Sequence, residues 1–381
     1  MNDMTKSLDE QAHAGIHGLH AYVPGKPIDD LKRELGLSSI IKLASNENPF
    51  GVAPAVKQAF ADFVEHGAAD LHRYPDGGGY ALKQKIAAIH DIDPARVTLG
   101  NGSNDVLELT ARVFLGPGKN AVFSQYAFAV YPIVAQAVNA EVREVPALGP
   151  DADMPYGHDL DAFIEHIDDN TGVVFIASPN NPTGTWLAPQ AIEAFLEAVP
   201  PGVIVLLDEA YLEYQADSER PDSRALVDRF DNLIVTRTFS KIYGMAGLRV
   251  GYSLSTAKVA DWINRIRQPF NVNTVALYCA EAALADEEFV RYSIQTNAVQ
   301  RASLARELEA RGHHCLPSQA NFLTFDCGRA STPVYEAMLH EGVIVRPLQS
   351  YDLPEHLRVT VGSEEENRVF LAALDAVMEG E

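Results

Sequence analysis

From about Ile40 onward, short and nearly continuous apolar segments alternate with segments whose apolar residues recur at helical spacing. Continuous apolarity is typical of a strand that is covered on both faces, so residues 173–177, 203–207 and 233–235 predict buried strands of a mostly parallel sheet. Residues 187–199, between the first two strands, have the helical spacing that a crossover helix requires. The pattern therefore predicts an α/β domain.

The last third of the chain has a different pattern. Residues 271–285 and 288–311 predict long helices, and 321–327 and 357–361 predict strands. Ser363 and Glu366 form the capping-box signature that begins a final helix. We expect three segments: an N-terminal arm over residues 1–40, a large domain over 41–285 and a smaller α+β domain over 286–381.

Composition and charge restrict the class of protein. The 381 residues are 47% hydrophobic and 22% charged, as in globular proteins, and the net charge of −22 disfavours nucleic-acid and anionic membrane partners. The sequence shows neither an apolar leader nor a run of eighteen apolar residues, so we expect neither secretion nor a membrane span. Cys279, Cys315 and Cys327 lack a C-x-x-C spacing and predict reduced thiols in a cytoplasmic protein. Histidine and cysteine spacings predict no metal site.

Polar side chains follow each of the three predicted strands. Asn181 follows the first, Asp208 and Tyr211 follow the second, and Lys241 follows the third. Because ligands bind at the carboxyl ends of parallel strands, we expect these groups to lie close together. An amine that attacks a carbonyl, a carboxylate that pairs with a heterocyclic N–H and a phenol favour pyridoxal phosphate chemistry.

A glycine-rich turn at residues 100–104 precedes a segment with helical spacing. Such a turn presents free backbone N–H groups and the positive end of a helix dipole to an anion such as a cofactor phosphate. The sequence has no P-loop, and no G-x-G-x-x-G follows a predicted strand, which disfavours a nucleotide-dependent dehydrogenase.

Three segments resemble the signatures of the fold-type-I pyridoxal-phosphate aminotransferases. Residues 240–252 (SKIYGMAGLRVGY) resemble the lysine motif, and residues 181–184 (NPTG) and 208–211 (DEAY) resemble the other two signatures in the family's order. The resemblance extends from about residue 22 to residue 358. Residues 22–25 (YVPG), 43–49 (LASNENP), 73–76 (RYPD) and 346–347 (RP) are similar to the histidinol-phosphate aminotransferase subgroup.

The resemblance implies the α/β fold of fold-type-I transferases, with a mostly parallel large domain and a smaller α+β domain. It also implies a homodimer with shared active sites, in which the arm packs against the small domain and the partner subunit. The small-molecule partners are an amino donor and a 2-oxo acid.

Each site residue takes a role from the resemblance. Lys241 would bind the cofactor as a Schiff base and move a proton, and Asp208 would pair with the pyridine nitrogen. Asn181 and Tyr211 would hold the 3-oxygen of the cofactor. The remaining expected cofactor contacts are Tyr126 on the ring face and, at the phosphate, Gly102, Ser103, Ser240, Arg249 and Tyr74 of a second subunit, while Thr238 has either a phosphate or a strand-end role.

Four residues are expected to bind the substrate: Tyr22, Asn46, Arg346 and Arg358. Arg358 matches the family's carboxylate-binding arginine. A phosphate has more oxygens to satisfy than a carboxylate, so Arg346 is expected to supply a second guanidinium and Tyr22 a further donor. The alternative for Arg346 is a surface salt bridge.

The resemblance implies transfer of an amino group between L-histidinol phosphate and 2-oxoglutarate, in two stages, as a step of histidine biosynthesis. An aromatic amino-acid aminotransferase and a threonine-phosphate decarboxylase share much of the pattern and stay open as alternatives. A cofactor-sensing regulator on this fold would need a DNA-binding domain, for which the sequence has neither the room nor the basic charge.

Overall fold

The structure is a computed structural model that describes residues 8–21, 25–37 and 39–379. The strands are β1 (Ile41–Lys42), β2 (Val97–Gly100), β3 (Asn120–Ser124), β4 (Glu141–Val145), β5 (Thr171–Ala177), β6 (Ile204–Asp208), β7 (Leu233–Thr238), β8 (Gly251–Leu254), β9 (Phe322–Asp326), β10 (Val343–Ile344), β11 (Arg346–Pro347) and β12 (His356–Thr360). The α-helices are α1 (Leu8–Gln11), α2 (Ile28–Leu35), α3 (Pro54–Asp62), α4 (Tyr80–His90), α5 (Ser103–Phe114), α6 (Val130–Ala137), α7 (Leu160–Glu165), α8 (Pro189–Ala198), α9 (Ser223–Arg229), α10 (Ala257–Ile266), α11 (Thr274–Ala283), α12 (Glu287–Ala310), α13 (Ser331–His340) and α14 (Glu364–Glu379).

The large sheet has the order β2-β8-β7-β6-β5-β3-β4 within the described residues. Strand β8 runs antiparallel to both of its neighbours, and the remaining pairs are parallel. The three strands predicted from continuous apolarity are β5, β6 and β7, which lie side by side. Every residue of β5 and β6 is buried, as the apolar pattern requires.

A second sheet has the order β11-β12-β9 and is antiparallel. It packs on α12, α13 and α14 around a core that includes Phe325, Met338 and Phe370. The predicted capping box of α14 is confirmed, since the Ser363 hydroxyl and the Glu366 carboxylate each accept a hydrogen bond from the other residue's backbone N–H. The α/β fold with a mostly parallel large sheet and a separate α+β part is as predicted.

Two elements connect the parts of the chain around the two sheets. Strand β1, near the N-terminus, pairs in parallel with β10 from the C-terminal part of the chain. Helix α12 contributes Phe289 to the core of the large sheet, and it contributes Leu304 and Leu308 to the core of the small sheet. Among the described residues, the helices are too short or too polar to cross a membrane.

Candidate active site

A cavity opens at the carboxyl ends of β5, β6 and β7, and Arg358 of β12 in the second sheet contributes to its lining. It is lined by Asn181, Asp208, Tyr211 and Lys241, the four polar residues that follow the predicted parallel strands. Ser103, Thr238, Ser240, Arg249, Asn46 and Arg358 also line it. The structure therefore brings together most of the residues singled out from the sequence.

The amine of Lys241 lies at the centre of this set. Its Nζ donates a hydrogen bond to the carbonyl of Ser45 at 3.0 Å and lies 5.5 Å from the ring centroid of Tyr211. The turn after Lys241 depends on Gly244, which has a φ of +69°. A Cβ at that position would lie 1.9 Å from the carbonyl oxygen of Gly51, so a larger residue would displace the lysine segment.

The carboxylate of Asp208 is buried at the end of β6. Its Oδ2 accepts a hydrogen bond from the Tyr131 hydroxyl at 2.9 Å, and its Oδ1 accepts one from the Thr236 hydroxyl at 3.1 Å. Burial raises the pKa of Asp208, and these hydrogen bonds act against that rise because they stabilise the ionised form. The site thus presents a dry carboxylate that a neighbouring cation would stabilise further.

A further part of the cavity lining carries groups that can bind an anion. Gly102 has a φ of +81° and precedes the first turn of α5, where Ser103 lines the cavity. The Arg249 guanidinium donates to the Ser240 hydroxyl at 3.3 Å, and a Cβ on residue 102 would lie 2.3 Å from Arg249 Nη2. A helix N-terminus, two hydroxyls and a guanidinium are the groups that bind a phosphate.

Tyr211, Asn46, Asn181 and Arg358 form two hydrogen-bonded pairs in the cavity. Asn46 donates to the Tyr211 hydroxyl at 2.9 Å, and burial raises the pKa of Tyr211. Arg358 donates to the Asn181 side-chain oxygen and, at 2.7 Å, to the carbonyl of Ala44. A guanidinium from the second sheet therefore reaches the residues that follow the parallel strands.

The structure does not bring Tyr126 to this cavity. It packs with Leu348, Tyr351 and Leu353, and its ring meets that of Tyr156 edge-on at 5.3 Å. Phe128, two residues further along the same turn, lines the cavity instead. Of these two aromatic residues, Phe128 is therefore the one that lines the cavity, because the turn after β3 directs residues 126 and 128 into different environments.

Two other residues expected at the site, Arg346 and Tyr74, are not in the lining of this cavity, and a third, Tyr22, is outside the described residues. Arg346 lines a neighbouring cavity with Glu144 and Tyr351, although it is in register with Arg358 across the β11–β12 pair. Tyr74 is 82% exposed and stacks on Phe270 with 4.6 Å between ring centroids.

Sequence reasoning missed Phe128 and Tyr131. Tyr131 is 1% exposed in α6, where its position in the pattern is that of any core aromatic. The one clue to Tyr131 is that a buried tyrosine hydroxyl needs a hydrogen-bond partner, but the sequence does not show which residue that partner is. Thr238, left open between two roles, lines the cavity and accepts a hydrogen bond from the Ser240 backbone N–H at 3.1 Å.

These groups fit pyridoxal phosphate. The donor set has an amine for its aldehyde, a buried carboxylate for its ring nitrogen, and an anion site for its phosphate. A Cβ on residue 102 would fill the space beside Arg249, so a glycine keeps that space open. This supports a phosphate site formed partly by the backbone at this turn. Within residues 8–21, 25–37 and 39–379, no three His, Cys, Asp or Glu side chains are grouped to hold a metal ion.

Comparisons with known proteins find similarity over nearly the whole chain. Residues 38–374 match the family Aminotransferase class I and II. The chain is 50% identical over 372 residues to Histidinol-phosphate aminotransferase 2 of Methylococcus capsulatus, covering 98% of this chain and 99% of the relative. It is 52% identical over 369 residues to the protein of the same name from Pseudomonas aeruginosa, covering 96% and 97%.

Solved structures give the same fold. The histidinol-phosphate aminotransferase of Sinorhizobium meliloti, in complex with pyridoxal-5'-phosphate, is 28% identical with a TM-score of 0.86, covering 96% of this chain and 97% of that chain. Aspartate aminotransferase of Thermus thermophilus, solved with maleate, is 21% identical with a TM-score of 0.79, covering 93% and 97%, and shows the shared fold alone.

Proposed function

The chain belongs to the class I and II aminotransferases, and on that premise we propose that it transfers an amino group between L-histidinol phosphate and 2-oxoglutarate in histidine biosynthesis. The observation that carries this proposal is that the chain is about 50% identical, over nearly its full length, to relatives named for that activity. The polar groups that line the cavity are those that such an activity needs. Pyridoxal phosphate, when bound, withdraws electrons from the substrate carbon that loses a proton.

The side chains of this protein then take separate tasks. Lys241 binds the cofactor through its amine and carries the proton to and from the substrate carbon, because it supplies a primary amine to the lining of the cavity. Asp208 would pair with the protonated ring nitrogen from a buried position. Tyr211 and Asn181 hold the 3-oxygen, and Phe128 covers a ring face.

The anion groups divide between the two ends of the cavity. We propose that the Ser103 N–H, Ser240 and Arg249 hold the cofactor phosphate, since they lie together beside the N-terminus of α5. Arg358 and Asn46 lie at the substrate end. Arg346 is proposed to add a second guanidinium for the substrate phosphate, from the strand position opposite Arg358.

One observation favours a second candidate. Arg346 lines the neighbouring cavity rather than the one that holds Lys241. An aromatic amino-acid aminotransferase needs only a carboxylate-binding arginine, which Arg358 supplies. The choice between the two substrates therefore depends on whether Arg346 acts on the bound phosphate.

We further propose a homodimer with shared sites. Tyr74 stacks on Phe270, and Phe60 and Tyr278 lie on the adjoining helices α3 and α11; each of the four is more than 40% exposed, and contiguous exposed apolar groups mark interaction surfaces. Tyr74 would complete the partner's phosphate site. Cys279, Cys315 and Cys327 are buried and unpaired, which supports a cytoplasmic location.

The division into an arm (1–40), a large domain (41–285) and a small domain (286–381) is also a proposal. It is supported by separate hydrophobic cores around the two sheets.

Assays of the first half-reaction test the proposed function. Purified protein loaded with pyridoxal phosphate should show a visible absorbance band that titrates with L-histidinol phosphate and returns with 2-oxoglutarate. Phenylalanine in place of histidinol phosphate should react much more slowly. Faster reaction with phenylalanine would favour the aromatic aminotransferase, and release of carbon dioxide from threonine phosphate would favour the decarboxylase.

A further inference from the structure

The phenol of Tyr131 is fixed on three sides at the base of the cavity. Its hydroxyl donates to Asp208 Oδ2 at 2.9 Å. Its ring stacks on Phe175 of β5, with 5.0 Å between centroids and 11° between planes, and meets Phe128 edge-on at 5.9 Å. The side chain is 1% exposed, so neither the ring nor the hydroxyl has room to turn away.

Asp208 receives one side-chain hydrogen bond on each of its oxygens. Thr236, on the neighbouring strand β7, donates to Oδ1 at 3.1 Å, while Tyr131 donates to Oδ2. Two donors on different oxygens define the plane of the carboxylate. Burial raises the pKa of Asp208, and these two hydrogen bonds oppose that rise because they stabilise the ionised carboxylate.

We propose that Tyr131 and Thr236 are positioning residues that act through Asp208, keeping its carboxylate charged and directed toward the ring nitrogen of the cofactor. The inference rests on the proposed function, because it requires pyridoxal phosphate in this cavity. It assigns a role to two residues whose side chains would otherwise be read as ordinary core groups.

The size of the effect follows from the bond that is lost. Tyr131→Phe keeps the ring and its stack on Phe175 but removes the hydroxyl, and Thr236→Val keeps the β-branched shape. A hydrogen bond to a charged group changes an equilibrium by about 10- to 150-fold. We therefore expect each variant to bind pyridoxal phosphate at least about tenfold more weakly than the wild type.

A cofactor analogue separates this role from a packing role. In 1-deazapyridoxal phosphate a carbon replaces the ring nitrogen, so Asp208 has no ring N–H to hold. Dissociation constants of both cofactors are measured by equilibrium dialysis with the apoenzyme of wild type, Tyr131→Phe and Thr236→Val. We expect loss of affinity for pyridoxal phosphate, and a change within about twofold for the analogue, because the coupling to the nitrogen is absent.

Tyr252→Phe is the matched control. Tyr252 is a buried tyrosine of β8 whose hydroxyl is hydrogen-bonded with His90 at 3.0 Å, away from Asp208. It should leave both affinities unchanged. Equal losses for the two cofactors in Tyr131→Phe and Thr236→Val would show packing roles and overturn the proposal.

Two further outcomes are distinguishable. If circular dichroism shows that Tyr131→Phe does not fold, Thr236→Val decides: a selective loss supports the proposal and an equal loss overturns it. If wild-type apoenzyme does not bind pyridoxal phosphate, the proposed function fails, and the inference fails with it.

Discussion

Replacing Asp208 with asparagine removes a charge from the cavity and almost nothing from its shape. The carboxylate is 5% exposed and is surrounded by the Tyr131 and Thr236 hydroxyls. In Asp208→Asn the ring nitrogen of bound pyridoxal phosphate would face a neutral amide and lose its proton, so the ring would withdraw electrons less strongly from the substrate carbon. Breaking a buried charge pair costs about 3–5 kcal/mol. We therefore expect the first half-reaction to slow by roughly 10²- to 10⁴-fold.

The assay is a rapid-mixing experiment on the loaded enzyme. Absorbance is followed after mixing with L-histidinol phosphate, which isolates the first half-reaction from product release. The cofactor should bind more weakly than in the wild type but still occupy the site when it is supplied in excess, because Lys241, Ser240 and Arg249 at the other proposed contacts are unchanged. The expected result, at a saturating cofactor concentration, is a full cofactor content with a slow conversion.

The control is a second Asp→Asn change outside the cavity. Asp222 caps α9 by accepting a hydrogen bond from the Ala225 N–H, and asparagine caps helices equally well. Asp222→Asn should therefore react at the wild-type rate. A half-reaction rate in Asp208→Asn within about tenfold of the wild type, with cofactor bound, would contradict the assignment of Asp208.

Four further predictions follow from the site. Lys241→Ala should retain the cofactor without a covalent bond and lose transamination, and borohydride reduction of the wild type should label Lys241 alone; a label on another lysine would contradict the role. Arg346→Ala should weaken histidinol phosphate by about 10- to 150-fold and glutamate much less, whereas Arg358→Ala should weaken both; equal losses in the Arg346 variant would favour an aromatic substrate. Mixing inactive Tyr74 and Lys241 variants should restore part of the activity through hybrid dimers, and an active monomer in ultracentrifugation would exclude this sharing. Burial lowers the pKa of His158 and of His90 to about 4, so the unfolded chain takes up protons that the folded chain does not, and in urea titrations the loss of stability between pH 7 and pH 5 should be about 2 kcal/mol smaller in His158→Gln than in the wild type; an equal loss in the two proteins would contradict a buried, neutral His158.

Strand β7 shows how far the pattern of apolar residues predicts this fold. Residues 233–235 are continuous in apolarity and predict the strand, but β7 continues through Thr238. Arg237 lies in this polar continuation, and its guanidinium is accommodated there by an ion pair with the buried Glu209 at 2.9 Å. The pairing partner is 28 residues away in the chain, so a local pattern cannot show it. Strands β1, β10 and β11 have two residues each and are too short to produce a pattern.

The same distinction separates the site residues that were predicted from those that were not. Asn181, Asp208 and Lys241 could be placed together because the carboxyl ends of neighbouring parallel strands share one edge of the sheet. Tyr131 could not, because its contact with Asp208 joins positions 77 apart through the packing of α6 on the sheet. The exchange of Tyr126 for Phe128 has a similar cause, since the direction of a side chain in a turn depends on what packs against it.

The substrate end and the cofactor end of the cavity are joined by direct hydrogen bonds. Arg358 belongs to the second sheet, yet its guanidinium donates to the Asn181 side chain, which is also proposed to hold the cofactor. Asn46 likewise receives a hydrogen bond from Asn321 at its carbonyl and donates one to Tyr211. A guanidinium has five N–H donors, and the bonds to Asn181 and Ala44 use two of them, so a substrate anion at Arg358 need not displace Asn181. Under the roles proposed above, substrate and cofactor therefore contact two residues that are joined to each other by one hydrogen bond.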